Sequence, residues 1–175
     1  MKKFLEFLDK FLLNFLKKNV NKMPERFVKI IAYYHPDPYI RKIYYEKLGV
    51  IMGENTLANL GLTVVRNKNR PCVIIGANVS IAPNVTIITD SNPNNGKEIY
   101  NFPYIKDKLC KSGNVIIEDE VWIGANVIIF PGVKIGKCSI IGAGSIVMND
   151  TEPYCIYAGI PAKKIRNLRT GEKIN

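Results

Sequence analysis

From Val73 to Glu152 an aliphatic side chain returns at every sixth residue, with small and polar residues between: Ile75, Ile81, Ile87, Ile117, Ile123, Ile129, Ile135, Ile141 and Val147. All nine share one phase modulo six, although the run is interrupted between Asp90 and about Gly113. The interruption therefore reads as an insertion of whole repeat lengths. Neither a helical period of about 3.6 nor a strand period of 2 fits this series. A hexapeptide β-helix does: three short flat faces make one triangular coil, and each repeated aliphatic points to its axis. A second series of apolar or small residues, Val79, Val85, Val121, Val127, Val133, Ser139 and Ser145, follows the first at four residues. Glycine directly after the aliphatic, as at Gly124, Gly136 and Gly142, is expected where a Cβ would crowd a tight corner and φ can be positive.

The flanks carry a different pattern. Phe4, Leu5, Leu8, Phe11, Leu12, Phe15 and Leu16 recur at helical spacing with lysines elsewhere, which predicts a basic amphipathic helix over residues 1–20. Two readings stand. It lies on a membrane surface, Phe and Leu in the headgroup boundary and Lys against anionic lipid, or its apolar face packs on the β-helix or a neighbouring subunit. Met23 to Gly49 predicts further helix, broken at His35-Pro36-Asp37-Pro38, because proline excludes the preceding residue from regular helix. The first coil, from Gly49, is one residue out of phase, and the polar stretch 66–71 is where the phase resets. Asp90 to Gly113 is polar and rich in turn formers; a loop this long in a compact repeat carries function or is disordered. Pro153 to Arg169 ends the coil and is expected to continue as a short basic cap helix. The domain reading is a helical segment over 1–48, an all-β parallel β-helix over 49–168 with an inserted loop over 90–113, and a tail over 169–175.

The net charge of +10 raises the question of nucleic acid. Residues 1–22 and 163–175 contribute +4 each and the long middle only +2, so the charge sits at the ends rather than along a groove. No recognition helix or aromatic stacking platform is legible, and nucleic acid is not expected as a partner. Discrete anions such as phosphates, or an acidic membrane surface, suit two basic ends. Cys72, Cys110, Cys138 and Cys155 show no CxxC spacing and no His cluster, so reduced thiols are expected, with neither a disulfide framework nor a metal site. No cleaved signal and no transmembrane span is read, and the expected location is cytoplasmic, with peripheral contact at the inner membrane face if the first helix binds lipid.

The hexads IGANVI, IGKCSI and IGAGSI, with the segment AGIPAKKIR after the final coil, resemble the hexapeptide-repeat acyltransferases over roughly Gly49 to Leu168. The resemblance implies a left-handed parallel β-helix, an exception to the usual right-handed crossover, and a homotrimer with cofactor sites between adjacent subunits. It also implies acetyl-coenzyme A as acyl donor. In similar enzymes the segment after the last coil lines the cofactor site, which assigns Ala158, Gly159, Pro161 and Ala162 to the pantetheine arm. Lys163 and Arg166 would meet the phosphates through charge-assisted hydrogen bonds. The coils VWIGANV and IGAGSIV resemble the family's cofactor-side coils and add Trp122, Gly124, Ala125, Gly142, Ala143 and Ser145; taken singly, each glycine also reads as a corner requirement.

Around Thr89-Asp90-Ser91-Asn92-Pro93 the chain resembles the sugar O-acetyltransferase branch, similar to maltose and galactoside acetyltransferases. Those carry His-Pro here and use the His as general base, whereas this chain has Asn92-Pro93. An amide takes up no proton, so the base must be sought elsewhere. The candidates are Asp90, two positions away, then Glu98 in the loop, and His35, the only histidine, which also reads as a turn residue before proline. Asn59 resembles a polar site residue on the first coil, placed to orient an acceptor hydroxyl or hold the thioester oxygen; alternatively it is a corner Asn in left-handed backbone. The expected function is acetyl transfer from acetyl-coenzyme A to a hydroxyl of a sugar, nucleotide sugar or glycan precursor, as in surface polysaccharide synthesis. The alternative is a non-catalytic coenzyme A or glycan-binding member. A γ-type carbonic anhydrase needs three His ligands, and one His per chain does not supply them.

Overall fold

The computed structural model describes residues 2–66 and 73–174, so most of the polar stretch expected to reset the phase, and Cys72, lie outside the described residues. Three parallel sheets form the sides of a triangular coil. Face A stacks Val50–Met52, Val73–Ile75, Val115–Ile117 and Lys134–Ile135. Face B stacks Leu57–Ala58, Ser80–Ile81, Trp122–Ile123, Ile140–Ile141 and Cys155–Ala158. Face C stacks Thr63–Val65, Thr86–Ile88, Ile128–Ile129 and Ile146–Val147. The register brings the hexad aliphatics into three columns: Ile75, Ile117 and Ile135 on face A, Ile81, Ile123 and Ile141 on face B, Ile87, Ile129 and Val147 on face C. All nine are at most 4% exposed, and the second series is buried with them. Each aliphatic buried in this way contributes about 1.5–3 kcal/mol, so the repeated residue supplies the axial core.

The corners differ from expectation in one respect. The glycine after the aliphatic is not the left-handed residue: positive φ falls two positions later, at Asn78, Asn84, Glu120, Asn126, Gly132, Cys138 and Gly144. The earlier position is small because the next coil lies against it. A Cβ on Gly124 would stand 2.5 Å from the backbone nitrogen of Ala143.

The molecule is not all-β, because three helices precede the coil: α1 (Lys2–Asn19), α2 (Glu25–Tyr34) and α3 (Pro38–Lys47). The break at His35 to Pro38 is present, and the Asp37 side chain caps α3 by accepting from the backbone N–H of Tyr39 at 2.8 Å. The first coil would otherwise expose an open end of its core. Helix α3 closes it: Tyr45 Oη donates to Leu62 O at 2.6 Å, Arg41 Nη2 donates to Ala58 O at 2.8 Å, and Val28, Ala32, Ile40 and Tyr44 join one core with the coil. Packing is therefore continuous across residues 48 and 49. Helix α1 reaches this body through its last turns, where Leu16 is buried and its carbonyl accepts from Tyr44 Oη at 3.1 Å.

The cap helix expected after Pro153 is absent. Lys163–Asn167 is instead a strand, paired antiparallel with Cys155–Ala158. The chain reverses through Gly159, at φ 102°, and its backbone groups satisfy the exposed edge of the last coil, which a helix would leave unpaired. The insertion after face C is tied at its base: Asp90–Ser91 pairs antiparallel with Lys111–Ser112, and Gly113 N–H donates to Thr89 O at 3.0 Å. Between these ends lie two short helical turns, Ile99–Asn101 and Ile105–Leu109.

Candidate functional site

One edge of the prism collects most of the residues picked out from sequence. Asn59, Ala82, Gly124 and Gly142 each follow the inward residue of a face B strand, and each donates its backbone N–H to the strand of the next coil: to Ile81 O, Ile123 O, Ile141 O and Tyr157 O at 2.8 to 3.0 Å. Ala158 completes the column, since its neighbours Ile156 and Tyr157 pair with Ile140 and Ile141. Ala125 and Ala143 sit one residue further round the same corner, where Gly144 N–H donates to Ala125 O at 2.8 Å. The Gly159-to-Ala162 turn lies against the last strand of face C, with Ile146 N–H donating to Gly159 O and Ala162 N–H to Ile146 O. The result is a strip of small side chains running from the first coil to the C-terminal hairpin.

Ser145 departs from its expected role as a surface contact. It is buried, its hydroxyl donates to Gly142 O at 2.6 Å and accepts from Gly159 N–H at 3.1 Å, so it shapes the corner from within.

The hairpin contains a bulge. Ile156 pairs with Arg166 and Tyr157 with Lys164, so Ile165 is an extra residue in its strand. Paired residues share a side of the sheet, and Ile156 and Ala158 lie two apart. Their partners Arg166 and Lys163 therefore share the outer side of face B, although three residues apart in sequence. Lys164 is on the other side, bound to Glu152 at 2.7 Å, a contact that holds its ammonium above the usual lysine range. Arg166 keeps one bond, Nη1 to Gly171 O at 3.0 Å.

At the opposite end of the same face is a groove of about 520 Å³ lined by Leu57, Asn59, Ser80, Ala82 and Trp122, with Pro36, Pro38 and Arg41 as its wall. Trp122 is 58% exposed and lies in this groove with Asn59 rather than beside the basic hairpin. Asn59 Oδ1 accepts from Leu60 N–H at 2.9 Å. The left-handed residue of this corner is Gly61, so backbone conformation does not explain the asparagine. Arg41 was not singled out from sequence. It is 3% exposed, its Nη atoms bind the carbonyls of His35, Pro36 and Ala58, and its Nε has no partner among the described residues. Burial lowers its pKa, opposed by Tyr45 and Asp37. The available signal was a charged residue on the apolar stripe shared by Ile40 and Tyr44.

None of the base candidates lines this groove. Asp90 and Asn92 leave the coil after face C, where Asn92 Nδ2 donates to Asp90 Oδ2 at 2.8 Å. His35 lies beside the groove wall, but its Nδ1 accepts the Asp37 backbone N–H at 3.1 Å. In the neutral ring this leaves the proton on Nε2, a donor rather than a base. Glu98 precedes the first helical turn of the insertion. No group of three or more His, Cys, Asp or Glu side chains able to hold a metal forms among the described residues.

Residues 114–149 match the family described as bacterial transferase hexapeptide, six repeats. The chain is 41% identical over 128 residues to galactoside O-acetyltransferase of Escherichia coli K12, covering 70% of this chain and 56% of that protein. It is 34% identical over 142 residues to galactoside O-acetyltransferase of Lactococcus lactis, covering 77% of this chain and 62% of that one. The chain thus spans less than two thirds of the length of these relatives. A solved galactoside acetyltransferase in complex with coenzyme A matches with TM-score 0.65 at 29% identity, over 87% of this chain and 82% of that chain. Hexad-built coils, repeat match and relatives agree: residues 114–149 carry the bacterial transferase hexapeptide repeat, and the chain around them is similar to the galactoside O-acetyltransferases.

Proposed function

We propose that this protein is an acetyl-coenzyme A-dependent O-acetyltransferase acting on a hydroxyl of a sugar or glycan precursor. We further propose that it folds as a left-handed prism and works as a homotrimer with sites between adjacent subunits. The observation that carries the reading is the single outer face that joins the Asn59 and Trp122 groove to the Lys163 and Arg166 pair along a strip of small residues. Three strand spacings separate Trp122 from Arg166, roughly 14 Å at about 4.8 Å per step. Galactoside acetyltransferase, complexed with coenzyme A in its solved structure, supports coenzyme A as the ligand of this face and a sugar as the acceptor.

When bound, acetyl-coenzyme A would supply the acetyl thioester. Lys163 and Arg166 hold its phosphates by charge-assisted hydrogen bonds, and the small side chains of Ala125, Ala143 and Ala158 keep the outside of the corner uncrowded, while the room at Gly124 and Gly142 is taken by the coil stacked on each. In the groove Trp122 offers an apolar face to a sugar ring and Asn59 Nδ2 a donor. Asp90 takes the proton from the acceptor hydroxyl, and Asn92, where similar enzymes place histidine, holds that carboxylate in position. Because Asp90 and the groove lie on different sides of one chain, the loop of a neighbouring subunit must complete the site. Ile99, Tyr100, Phe102, Tyr104 and Leu109 on that loop are exposed in the single chain, which fits a surface covered in an assembly. Acetyl-coenzyme A as the donor fits a cytoplasmic reaction.

A thiol-release assay with acetyl-coenzyme A and a panel of sugars and nucleotide sugars tests the reading. Release that depends on one acceptor class is the expected result. Calorimetric binding of coenzyme A without release for any acceptor would replace it with a non-catalytic binding role.

A further inference from the structure

We propose that α1 docks this protein in the plane of an anionic phospholipid surface. Of the 18 residues of the helix only Leu16 is buried, and Leu13 packs partly against the core beside it. The remaining apolar side chains face water: Phe4, Phe7 and Phe11 are 62 to 63% exposed, and Leu5, Leu8, Leu12 and Phe15 between 42 and 58%. The body thus holds the helix by its last turns and leaves the greater part of its apolar face uncovered. Seven large apolar side chains on one helix far exceed the scattered exposure that is normal for a surface.

At about 100° per residue these seven fill an arc of roughly 160°. Lys3, Lys10 and Lys17 run along the edge next to Phe7, Lys18 falls within the arc at the last turn, and Asp9 and then Lys2 lie beyond the other edge. Five lysines against Glu6 and Asp9 give the helix +3. The width of the arc decides between occupants. A two-helix seam with another copy would use Phe4, Leu8, Phe11 and Phe15, with charged residues beside it. The residues beside it here are Leu5, Phe7 and Leu12. A fluid apolar layer buries the whole arc, and its anionic headgroups meet the flanking ammonium groups. No helix among the described residues is long and apolar enough to cross a membrane, so the helix would lie along the surface. This inference does not depend on the acetyltransferase reading.

The test is flotation of the full chain with vesicles of phosphatidylcholine alone or with about a third phosphatidylglycerol, at low and high salt. Flotation with the anionic vesicles, weakened by salt, is expected. Phe7→Ser with Phe11→Ser should lower the apparent partition at least about tenfold, and Lys3→Glu with Lys10→Glu and Lys17→Glu should abolish the preference for anionic lipid. Both variants should keep the wild-type thermal unfolding, since these side chains are exposed. The proposal is overturned if the wild type ignores anionic vesicles, if it floats equally with neutral ones, or if neither variant changes binding. A phenylalanine-dependent self-association without vesicle binding would assign the arc to a second copy and overturn it as well.

Discussion

Nδ2 of Asn92 donates a 2.8 Å hydrogen bond to Oδ2 of Asp90, so the amide orients this carboxylate. If Asp90 is the proton acceptor, Asp90→Asn lowers turnover by about a hundredfold or more, the scale of general-base loss, while coenzyme A affinity stays the same. Turnover unchanged in Asp90→Asn but abolished in His35→Ala would move the base to the helical region. Asn92→His puts an imidazole beside Asp90 and is expected to raise turnover.

The bulge at Ile165 puts Lys163 and Arg166 on one side of the hairpin and Lys164 on the other, against Glu152. Replacing Lys163 and Arg166 together by Ala should weaken coenzyme A binding by about 1–3 kcal/mol in calorimetry, the loss of charge-assisted contacts. Lys164→Ala, on the Glu152 side, should leave affinity within experimental error. Equal losses in both variants would show that the three cations act only as diffuse charge.

At the face B corner of the third coil, Asn126 holds φ at 57°. A β-branched residue there meets a steric cost of about 1–2 kcal/mol that glycine avoids. Chemical denaturation should accordingly find Asn126→Val destabilised by that amount and Asn126→Gly close to wild type. The reverse order would mean that the side-chain amide, not the backbone, holds the corner.

Glu118 bridges two coils, binding Lys134 Nζ at 2.7 Å and accepting the Lys137 backbone N–H at 2.8 Å. Chiefly through the Lys134 contact, then Lys137, its carboxyl is held below the usual glutamate range. A folded-state pKa below the unfolded value of about 4.3 stabilises the native state above that value, and the contribution fades as pH falls through the depressed one. The difference in urea midpoint between wild type and Glu118→Gln should be present at neutral pH and vanish in acid. A difference that stays constant into strong acid would remove the ionic explanation.

The prism was legible because every coil poses the same problem at the same interval: one side chain must fill the axis, and Ile75 through Val147 do so without an exception. The corner glycines are needed where the spacing puts them, but for the close approach of the next coil and not for a left-handed φ. Residue spacing reports that space is short, but not whether the shortage lies in the residue's own φ or, as at Gly124, in the coil above it. Lys163–Asn167 carries no alternation of apolar and polar residues that would mark a strand. Its conformation comes from the open edge of Cys155–Ala158, a partner visible only in three dimensions. For the same reason the groove was half seen. Asn59 and Trp122 belong to coils whose order the repeat reveals, while Arg41 reaches them from a helix whose docking the repeat does not describe.

The insertion from Asp90 to Gly113 is 24 residues, four hexads, which made it look like a length chosen to keep phase. Its closed base shows that the count is incidental. With Asp90 paired to Ser112 and Thr89 bonded to Gly113, the chain leaves and rejoins the coil at one point, and the stack beneath receives no information about the path between. A version with five residues removed from the tip, or ten added, should still place Ile117 above Ile75. The excursion is a detachable cassette on a fixed spindle, and its length is free to change while the spindle is not.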